Sequence, residues 1–486
     1  MANGGIIGPL NIPTSTTATG VWQQDEQYEA KVTDTWPQRA LFTTKSARFN
    51  SGSSDYLNRT LGTPTDAEKW TWSCWIKRST LGATQTLFSY DSGSNLQEFI
   101  GFNSTDSFRW YHRTSGGTAY YLNTNRLFRD VSAWYNILVV YDSSQGTASN
   151  RVKFFVNGTQ ETSFETSNYP AQDVDSELNK ANAVRLYSWS GSEYFNGYIA
   201  ENVFCDGQAL APTSFGVANS DGVWTPIPYS GTFGTNGFNL QFEDAAALGT
   251  DSSPNGNTFT VNNLTSIDQS TDYPVVNYCT MNTLYPDGTI TFSEGNLKLT
   301  EGNSWRSAGG TMAVSQGKWY WEISNVGNYA YIGFADIQLF SEGCSIRESF
   351  TTGAATTGRA SSVLNSDGRY YQVTSGGAQT SDYPSAATFS TFTNSTIGIA
   401  LNLDDNNFIF YKDGTAMNPS GNAISITAGT YIPAVSIYGN NVSCNFGSPP
   451  YAISSGNADG NGYGNFEYAV PSGYYALNTA NLAEFG

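Results

Sequence analysis

Histidine is almost absent from the 486-residue sequence, which contains one, His112. A Ser-His-Asp triad would need that residue as its general base, and metal sites with two or three histidine ligands are excluded. The surrounding segment FRWYHR alternates like a strand, so we expect His112 at a surface or half-buried strand position. Enzyme classes that depend on several histidines are therefore excluded.

Cysteines are few and widely separated. The five are Cys74, Cys205, Cys279, Cys344 and Cys444. Their odd number and the lack of any C-x-x-C pair indicate neither a disulfide framework nor a zinc site. We therefore predict free thiols, as is usual for proteins that assemble in a reducing cytoplasm.

Long apolar runs are also missing, since no stretch approaches the roughly 18 apolar residues that a membrane-spanning helix needs. The first twenty residues, MANGGIIGPLNIPTSTTATG, lack a basic segment followed by an apolar core. We therefore expect neither membrane insertion nor a secretory signal peptide.

Charged residues make up only 13% of the chain, against about 25% in an average soluble domain. Basic residues number 23 and acidic residues 41, which gives a formal net charge of −18. Such a field repels a phosphate backbone, so we expect no nucleic-acid partner.

The sequence is rich in aromatic residues, with 30 Tyr, 28 Phe and 12 Trp, and in Gly, Ser, Thr and Asn. Aromatic side chains suit pleated surfaces and the small polar residues suit tight turns, so the composition predicts an all-β protein. In WTWSCWIKRS the alternation places Trp70, Trp72, Cys74 and Ile76 on one face of a strand. Asn157-Gly158 is a strong hairpin signal.

Strand patterns separated by turn clusters predict five segments. They are an N-terminal segment at 1–40, a first sandwich at 41–225, a bridge at 226–285, a second sandwich at 286–450 and a C-terminal tail at 451–486. The N-terminal segment is too short to form its own core. Its Trp22, Tyr28 and Trp36 must therefore be buried against the first sandwich or against another protein.

The first sandwich resembles the laminin-G/concanavalin A-like jelly roll. The strings that carry the resemblance are SARFN, WTWSCWIK, WYNILVVYD, VKFFVNG and FNGYIAENVFCDGQAL. The second sandwich resembles a SPRY domain in GKWYWEI, YIGFAD, IGIALNLDD…FIFYKDG and PAVS…NFG. Together the two resemblances imply tandem antiparallel jelly-roll β-sandwiches behind a short anchor segment.

The bridge, together with GVWTPIPYSG before it, resembles a phrase common in structural and tail-fibre-like proteins of marine tailed bacteriophages. This resemblance implies a virion protein, assembled in the host cytoplasm, that is a homo-oligomer and attaches to a host glycan or protein. The segment 1–40 would dock it on other virion proteins. A fibre or decoration without a ligand, an enzyme that degrades envelope polysaccharide and a secreted adhesin are the alternatives.

Aromatic residues outside the core are the candidate ligand contacts, because sugar rings stack on Trp and Tyr faces. Those in the first sandwich are Trp110, Tyr111, Tyr187 and Trp189. In the second sandwich Tyr438, Asn440 and Asn441 lie where SPRY domains build their binding face. Packing within the core is the alternative for each.

Asp173, Asp175 and Glu177 in YPAQDVDSELNK are the one set of three carboxylates at alternate spacing. A glycosidase needs two carboxylates flanking the sugar, but this segment follows a proline and lacks apolar alternation, so it is predicted to be a loop. Oxygen ligands at this spacing also suit calcium. The third interpretation is a solvated loop without a ligand. If it holds, we expect that the protein requires no cofactor and is not an enzyme.

Overall fold

The computed structural model describes residues 44–284, 289–324, 326–327, 329–341, 361–373, 379–381, 389, 391–418 and 421–486. The chain divides into two compact units, residues 1–44 and 45–486. Both sandwiches lie in the second unit. The predicted anchor residues Trp22, Tyr28 and Trp36 and the thiol of Cys344 lie outside the described residues.

The first sandwich consists of short strands joined by turns. Its strands are β1 (Ser46–Phe49), β2 (Tyr56–Thr60), β3 (Lys69–Arg78), β4 (Gln85–Asp91), β5 (Gln97–Phe102), β6 (Ser107–Arg113), β7 (Ala119–Leu127), β8 (Tyr135–Asp142), β9 (Val152–Val156), β10 (Thr159–Glu161), β11 (Phe164–Asn168), β12 (Ala183–Leu186), β13 (Gly197–Asp206), β14 (Gly216–Ala218), β15 (Trp224–Pro226), β16 (Phe238–Leu240), β17 (Thr260–Asn262) and β18 (Gln269–Ser270). Short 3-10 turns span Ala148–Asn150, Glu177–Asn179, Pro212–Ser214 and Ser266–Asp268.

Two antiparallel sheets face each other in this sandwich. The β13 sheet has the order β10-β9-β8-β3-β13-β1-β18, with β16 added beside β13. The β5 sheet has the order β11-β7-β6-β5-β4-β12-β2-β17. The strand pair β14-β15 stands apart from both.

The core between the two sheets confirms the predicted alternation in β3. Trp70, Trp72, Cys74 and Ile76 all belong to it and have no exposed surface. Trp75, between them in sequence, packs on the opposite face of the β13 sheet. Successive side chains of a strand point to opposite faces, so one strand supplies both surfaces.

The predicted hairpin at Asn157-Gly158 is also confirmed, between β9 and β10. Both residues have positive φ, 48° and 77°, which is the geometry of a two-residue turn matched to the twist of the strands. Glycine is required at the second position for a further reason. A Cβ there would lie 2.6 Å from the indole ring of Trp224.

The segment 226–285, predicted as a bridge, contributes strands to both sheets of the first sandwich. β16 pairs with β13, β17 with β2 and β18 with β1. The physical reason lies in FNLQF, whose Phe238, Leu240 and Phe242 enter the core. Without these residues the first sandwich would lose part of its apolar interior.

The second sandwich is built in the same way. Its strands are β19 (Thr291–Ser293), β20 (Lys298–Thr300), β21 (Arg306–Gly309), β22 (Lys318–Ser324), β23 (Ala330–Asp336), β24 (Ser361–Asn365), β25 (Tyr370–Val373), β26 (Gln379–Ser381), β27 (Ile397–Asn402), β28 (Asn407–Lys412), β29 (Thr415–Ala416), β30 (Ile424–Ser425), β31 (Tyr431–Ile437), β32 (Asn441–Asn445) and β33 (Tyr475–Ala476). Two short helices span Gln338–Ser341 and Thr479–Phe485.

Its β22 sheet has the order β19-β20-β32-β22-β27-β28-β29, and its β23 sheet the order β21-β31-β23-β24-β25-β26. The strands predicted from GKWYWEI, YIGFAD, FIFYKDG and PAVS are therefore present, as β22, β23, β28 and part of β31. The predicted class, an all-β protein of two tandem sandwiches, is confirmed. No helix in the described ranges is long and apolar enough to cross a membrane.

The tail from residue 451 onwards packs on the second sandwich. β33 runs parallel to β22, and the Thr479–Phe485 helix places Leu482 and Phe485 against the core. The Gly-rich loop around Asp459 is held by that carboxylate. Asp459 accepts hydrogen bonds from the backbone of Asn461, Tyr463 and Ala476 and from the side chain of Asn481.

Candidate functional site

One outer surface of the first sandwich, that of the β13 sheet, is largely covered. Leu138, Val140 and Cys205 point outwards from it but are buried beneath Phe215 and Phe233 of the following segment. Further along the same surface, the hydroxyl of Tyr198 donates to the carbonyl of Gly295 in the second sandwich, at 2.9 Å. This surface is therefore taken up by the chain itself.

The outer surface of the β5 sheet, by contrast, carries a row of aromatic rings that runs from the buried Phe99 through the half-buried Tyr111 to the exposed Tyr121. Phe99, Tyr111 and Tyr121 lie opposite one another on β5, β6 and β7. The rings of Phe99 and Tyr111 stack at 5.1 Å, and Trp189 meets Phe99 edge-on at 4.8 Å. Tyr121 at the side of this row is 38% exposed.

Two charged side chains flank these rings. The guanidinium of Arg109 lies 4.6 Å from the centre of the Phe99 ring, and its Nη2 is 3.4 Å from Oε2 of Glu193. The same carboxylate oxygen accepts a hydrogen bond from the Thr86 hydroxyl at 2.9 Å. Phe99, Arg109, Tyr111, Trp189 and Glu193 are called the Trp189 face below.

Trp189 is positioned by a tight turn that follows β12. Its backbone exchanges hydrogen bonds with Ser192, at 2.8 and 2.6 Å, across Ser190 and Gly191. Those two residues have φ values of 40° and 86°, as a two-residue hairpin turn requires. The turn therefore holds the indole beside Phe99 on the outer surface and not in the core.

Two of the four predicted contacts in the first sandwich are corrected by the structure. Trp110 has no exposed surface, and its Nε1 donates to the buried carboxylate of Glu98 at 2.8 Å. Tyr187 is equally buried, with its hydroxyl 2.5 Å from Nδ2 of Asn202 and its ring 4.1 Å from that of Phe49. Neither ring has exposed surface on which a sugar could stack, whereas Tyr111 and Trp189 are only half-buried.

A second aromatic surface lies at the end of the β23 sheet, around Tyr438. Its ring is 5.7 Å from that of Trp305 and 6.1 Å from that of Tyr329. Tyr438 is 37% exposed and Tyr329 63% exposed. Trp305, Tyr329 and Tyr438 are called the Tyr438 patch.

Glu301 organises the loops beneath the Tyr438 patch. Its backbone forms two hydrogen bonds of 2.9 Å with Asn440, and its carboxylate accepts from the backbone of Gly439 and Ser304. Asn440 is half-buried, and Asn441 is exposed at the start of β32. The loop that the sequence predicts as a binding face therefore lies beside the Tyr438 patch, and the structure adds the rings of Trp305 and Tyr329.

Tyr329 has a left-handed backbone, with φ of 64°, which is uncommon for a residue with a large side chain. Its carbonyl accepts a hydrogen bond from the amide of Tyr438 at 3.2 Å. Backbone strain of this kind persists only where the surroundings hold it, and it is found most often at functional sites.

The acidic set of Asp173, Asp175 and Glu177 lies in a loop and a 3-10 turn, as expected. Lys180 Nζ is 3.4 Å from the Asp175 carboxylate and 2.8 Å from that of Glu177. The side chain of Asn182 donates to the other oxygen of Glu177. Within the described ranges, no group of three or more His, Cys, Asp or Glu side chains is arranged to hold a metal ion.

Sequence reasoning missed Phe99, Arg109 and Glu193 on the Trp189 face. A signal for Arg109 was available, because it alternates with Tyr111 and Arg113 on β6, and basic residues in a half-buried strand mark the outward face. No sequence signal singles out Glu193, which reaches Arg109 only through the fold.

No curated protein matches this chain. A crystal structure of the SPRY domain of human HERC1 has 14% sequence identity and a TM-score of 0.26, and the match covers 34% of this chain and 96% of that one. Domains LG4-5 of the mouse laminin alpha1 chain have 10% identity and a TM-score of 0.30, covering 83% of this chain and 88% of that one.

A putative carbohydrate binding protein from Bacteroides ovatus has 14% identity and a TM-score of 0.31, and the match covers 47% of this chain and 60% of that one. Among family models, the one described as the concanavalin A-like lectin/glucanases superfamily (Laminin_G_3) matches residues 51–212. The matched residues begin just after β1 and end beyond β13. The first sandwich is therefore similar to that superfamily.

Proposed function

We propose that this chain is a virion protein of a tailed bacteriophage and that its first sandwich binds a host-surface glycan on the Trp189 face. The observation that carries the binding proposal is the open aromatic surface of the β5 sheet, beside a covered β13 sheet. The match of residues 51–212 to the lectin/glucanase superfamily supports a sugar as the ligand.

The chemistry of the Trp189 face fits a sugar. The rings of Trp189 and Tyr111 offer flat apolar surfaces for the C–H faces of a pyranose ring, and aromatic side chains dominate the energy of such contacts. The guanidinium of Arg109 carries donors and the carboxylate of Glu193 carries acceptors, which together match a sugar hydroxyl. Arg109 and Glu193 are 23% and 32% exposed, so both can reach a ligand at the surface.

The binding proposal is tested with the purified full-length chain on an array of bacterial surface polysaccharides. Truncation of an anchoring aromatic side chain costs about 2 kcal/mol or more, which corresponds to roughly 30-fold in affinity. We therefore expect Trp189→Ala and Tyr111→Ala each to weaken binding by about that factor.

Tyr438→Ala serves as the matched control, because it removes a similar ring from the other aromatic surface. Binding that is lost in Tyr438→Ala and kept in Trp189→Ala would move the site to the Tyr438 patch. A wild-type chain that binds none of the polysaccharides would contradict the glycan proposal and favour a fibre or decoration without a ligand.

The virion part of the proposal rests on the sequence phrase in the bridge and on the N-terminal aromatic residues Trp22, Tyr28 and Trp36. We infer that residues 1–40 dock the chain on other virion proteins. Deletion of these residues should leave β circular dichroism unchanged and remove the protein from purified particles. A deletion variant that melts early but is incorporated at normal copy number would show that the segment packs on its own chain.

A further inference from the structure

Lys77 is a residue of β3, and its ammonium group is buried against the residues that lead into the second sandwich. Its Nζ lies 2.7 Å from Oδ2 of Asp272, 2.7 Å from Oδ1 of Asn277 and 3.0 Å from the carbonyl of Tyr278. The side chains of Lys77 and Asp272 are each 1% exposed. A buried amine and a buried carboxyl group therefore meet a half-buried carboxamide.

Aromatic rings and hydrogen bonds hold the three groups in place. Lys77 Nζ is 5.4 Å from the centre of the Tyr198 ring, and Trp134 donates to the second oxygen of Asp272 at 2.9 Å. The amide nitrogen of Asn277, Nδ2, donates to the carbonyl of Ser132 at 2.6 Å. The carboxamide is thus oriented with its oxygen towards Lys77.

Burial raises the pKa of the Asp272 carboxyl, although the Lys77 ammonium opposes this effect. The same burial disfavours an ion pair, because both charges have left water. A proton moving from Lys77 to Asp272 would remove both charges and leave a neutral amine beside the Asn277 carboxamide.

We propose that Lys77 and Asn277 become joined by an intramolecular isopeptide bond, with Asp272 as the proton acceptor. The Lys77 ammonium gives one proton to Asp272, and the freed electron pair of Nζ attacks Cγ of Asn277. A second Nζ proton passes to Nδ2, the Cγ–Nδ2 bond breaks, and ammonia leaves. The products are a secondary amide between Nζ and Cγ, ammonia, and a protonated Asp272, with no oxidant or reductant involved.

The distances suit this reaction. Since Oδ1 is joined to Cγ by a bond of about 1.2 Å, Nζ lies at most about 3.9 Å from the carbon that it attacks. Reacting atoms in productive complexes are about 3–3.5 Å apart, so a shift of a few tenths of an ångström is sufficient. Fixed orientation of this kind replaces the activation that a carboxamide would otherwise need.

The bond would connect β3 of the first sandwich to the segment that precedes the second sandwich. It would close a loop between positions 77 and 277, and cross-links that close long loops restrict the unfolded chain most. The join between the sandwiches would then resist dissociation without any disulfide.

Intact-mass spectrometry of the denatured full-length chain tests the proposal. We expect a mass lower than that of the sequence by one ammonia molecule. Peptide mapping should yield a branched product in which the peptide containing Lys77 is attached to the one containing Asn277. A wild-type chain at its full mass overturns the proposal. Ammonia loss with linear peptides only also overturns it, because Asn-Gly sequences lose ammonia by cyclising.

Variants identify the groups involved, while the wild-type mass decides the proposal even if a variant fails to fold. Lys77→Arg and Asn277→Ala should each have the full mass of their own sequence. Lys180→Arg is the matched control and should keep the loss of ammonia, because Lys180 also pairs with carboxylates but has no carboxamide partner at Nζ in the described part of the chain. Asp272→Asn should have its full mass, and a cross-linked Asp272→Asn chain would overturn the role of that carboxyl.

Discussion

Glu201 is a carboxyl group placed inside the first sandwich by an irregularity of its strand. The pairing of β13 with β3 shifts register between Ala200 and Val203, and Glu201 adopts a φ of 45° there. The residue is 6% exposed, and among the described residues its Oε1 has no hydrogen-bond partner. Burial raises the pKa of Glu201 to about 8, so the side chain is a neutral acid at pH 7.

This residue makes stability depend on pH in a direction that can be measured. Between the usual pKa of a glutamate, 4.5, and the folded value of about 8, the folded chain holds a proton that the unfolded chain has lost. Stability therefore falls as pH rises through this window, by at most about 1.4 kcal/mol per pH unit. Glu201→Gln, which stays neutral, should gain stability relative to the wild type from pH 5 to pH 8.

Denaturant unfolding at pH 5, 6.5 and 8 checks this expectation. Glu165→Gln is the matched control, because Glu165 is exposed and its side chain remains in water in both states. The unfolding free energies of the two variants, each relative to the wild type, should diverge as pH rises. Parallel curves for Glu201→Gln and the wild type across the range would show that Glu201 is ionised in the folded chain.

Single residues also show where sequence reasoning succeeded and where it failed. Trp110 and Tyr111 are neighbours in a strand, so only one of them can face outwards, and the alternation of Arg109 with Tyr111 identifies which. His112 also follows the alternation of the strand, on the same side as Trp110. It lies on the inner side of β6 with no exposed surface, so the expected surface or half-buried position was wrong. Neither ring nitrogen of His112 has a hydrogen-bond partner among the described residues.

At the scale of the element, alternation and turn chemistry were sufficient for most strands. β3, β22 and β28 could be located because their apolar side chains recur at every second position and Gly-containing turns follow β28. The short strands β16, β17 and β18 could not be located from the sequence. Each has two or three residues, too few for a period, and each is stabilised by partner strands more than thirty positions away in sequence.

The conformations of loops are also hard to predict from the sequence, because they are determined by partners that are distant in sequence. Glu98 on β5 accepts hydrogen bonds from the hydroxyl of Ser176 and from the backbone of Glu177 and Leu178. The acidic loop at 173–177 therefore takes its shape from a residue that is distant in sequence. Composition identifies such a segment as a loop, but the contact that shapes it is visible only in the fold.

At the scale of the whole molecule, the described part of residues 45–486 behaves as one compact unit because polar contacts join the two sandwiches. Arg48 on β1 has no exposed surface and donates to the carbonyls of Ile267 and Pro449, at 2.8 and 3.2 Å. Its Nε is 3.6 Å from the carboxylate of Glu294. The hydroxyls of Ser270 and Ser448 lie 2.6 Å apart nearby.

This join predicts that both sandwiches unfold together. Arg48→Met keeps the length of the apolar stem but removes the donors that reach Ile267, Pro449 and Glu294. Hydrogen bonds from charged groups contribute about 1.5–3 kcal/mol each, so we expect the variant to lose about 2 kcal/mol or more of unfolding free energy. We also expect its single unfolding transition to separate into two.

Hydrogen exchange followed by mass spectrometry distinguishes these outcomes, because it reports β1 and β32 separately. In the wild type the two strands should open with the same free energy, and in Arg48→Met with different ones. Arg59→Met is the matched control, because among the described residues Arg59 donates only to Thr258 and Asn257, within the first sandwich and its added strands. Arg59→Met should lower the unfolding free energy, while β1 and β32 still open with the same free energy. A wild-type chain whose sandwiches already open independently would show that these contacts hold the sandwiches together without coupling their unfolding.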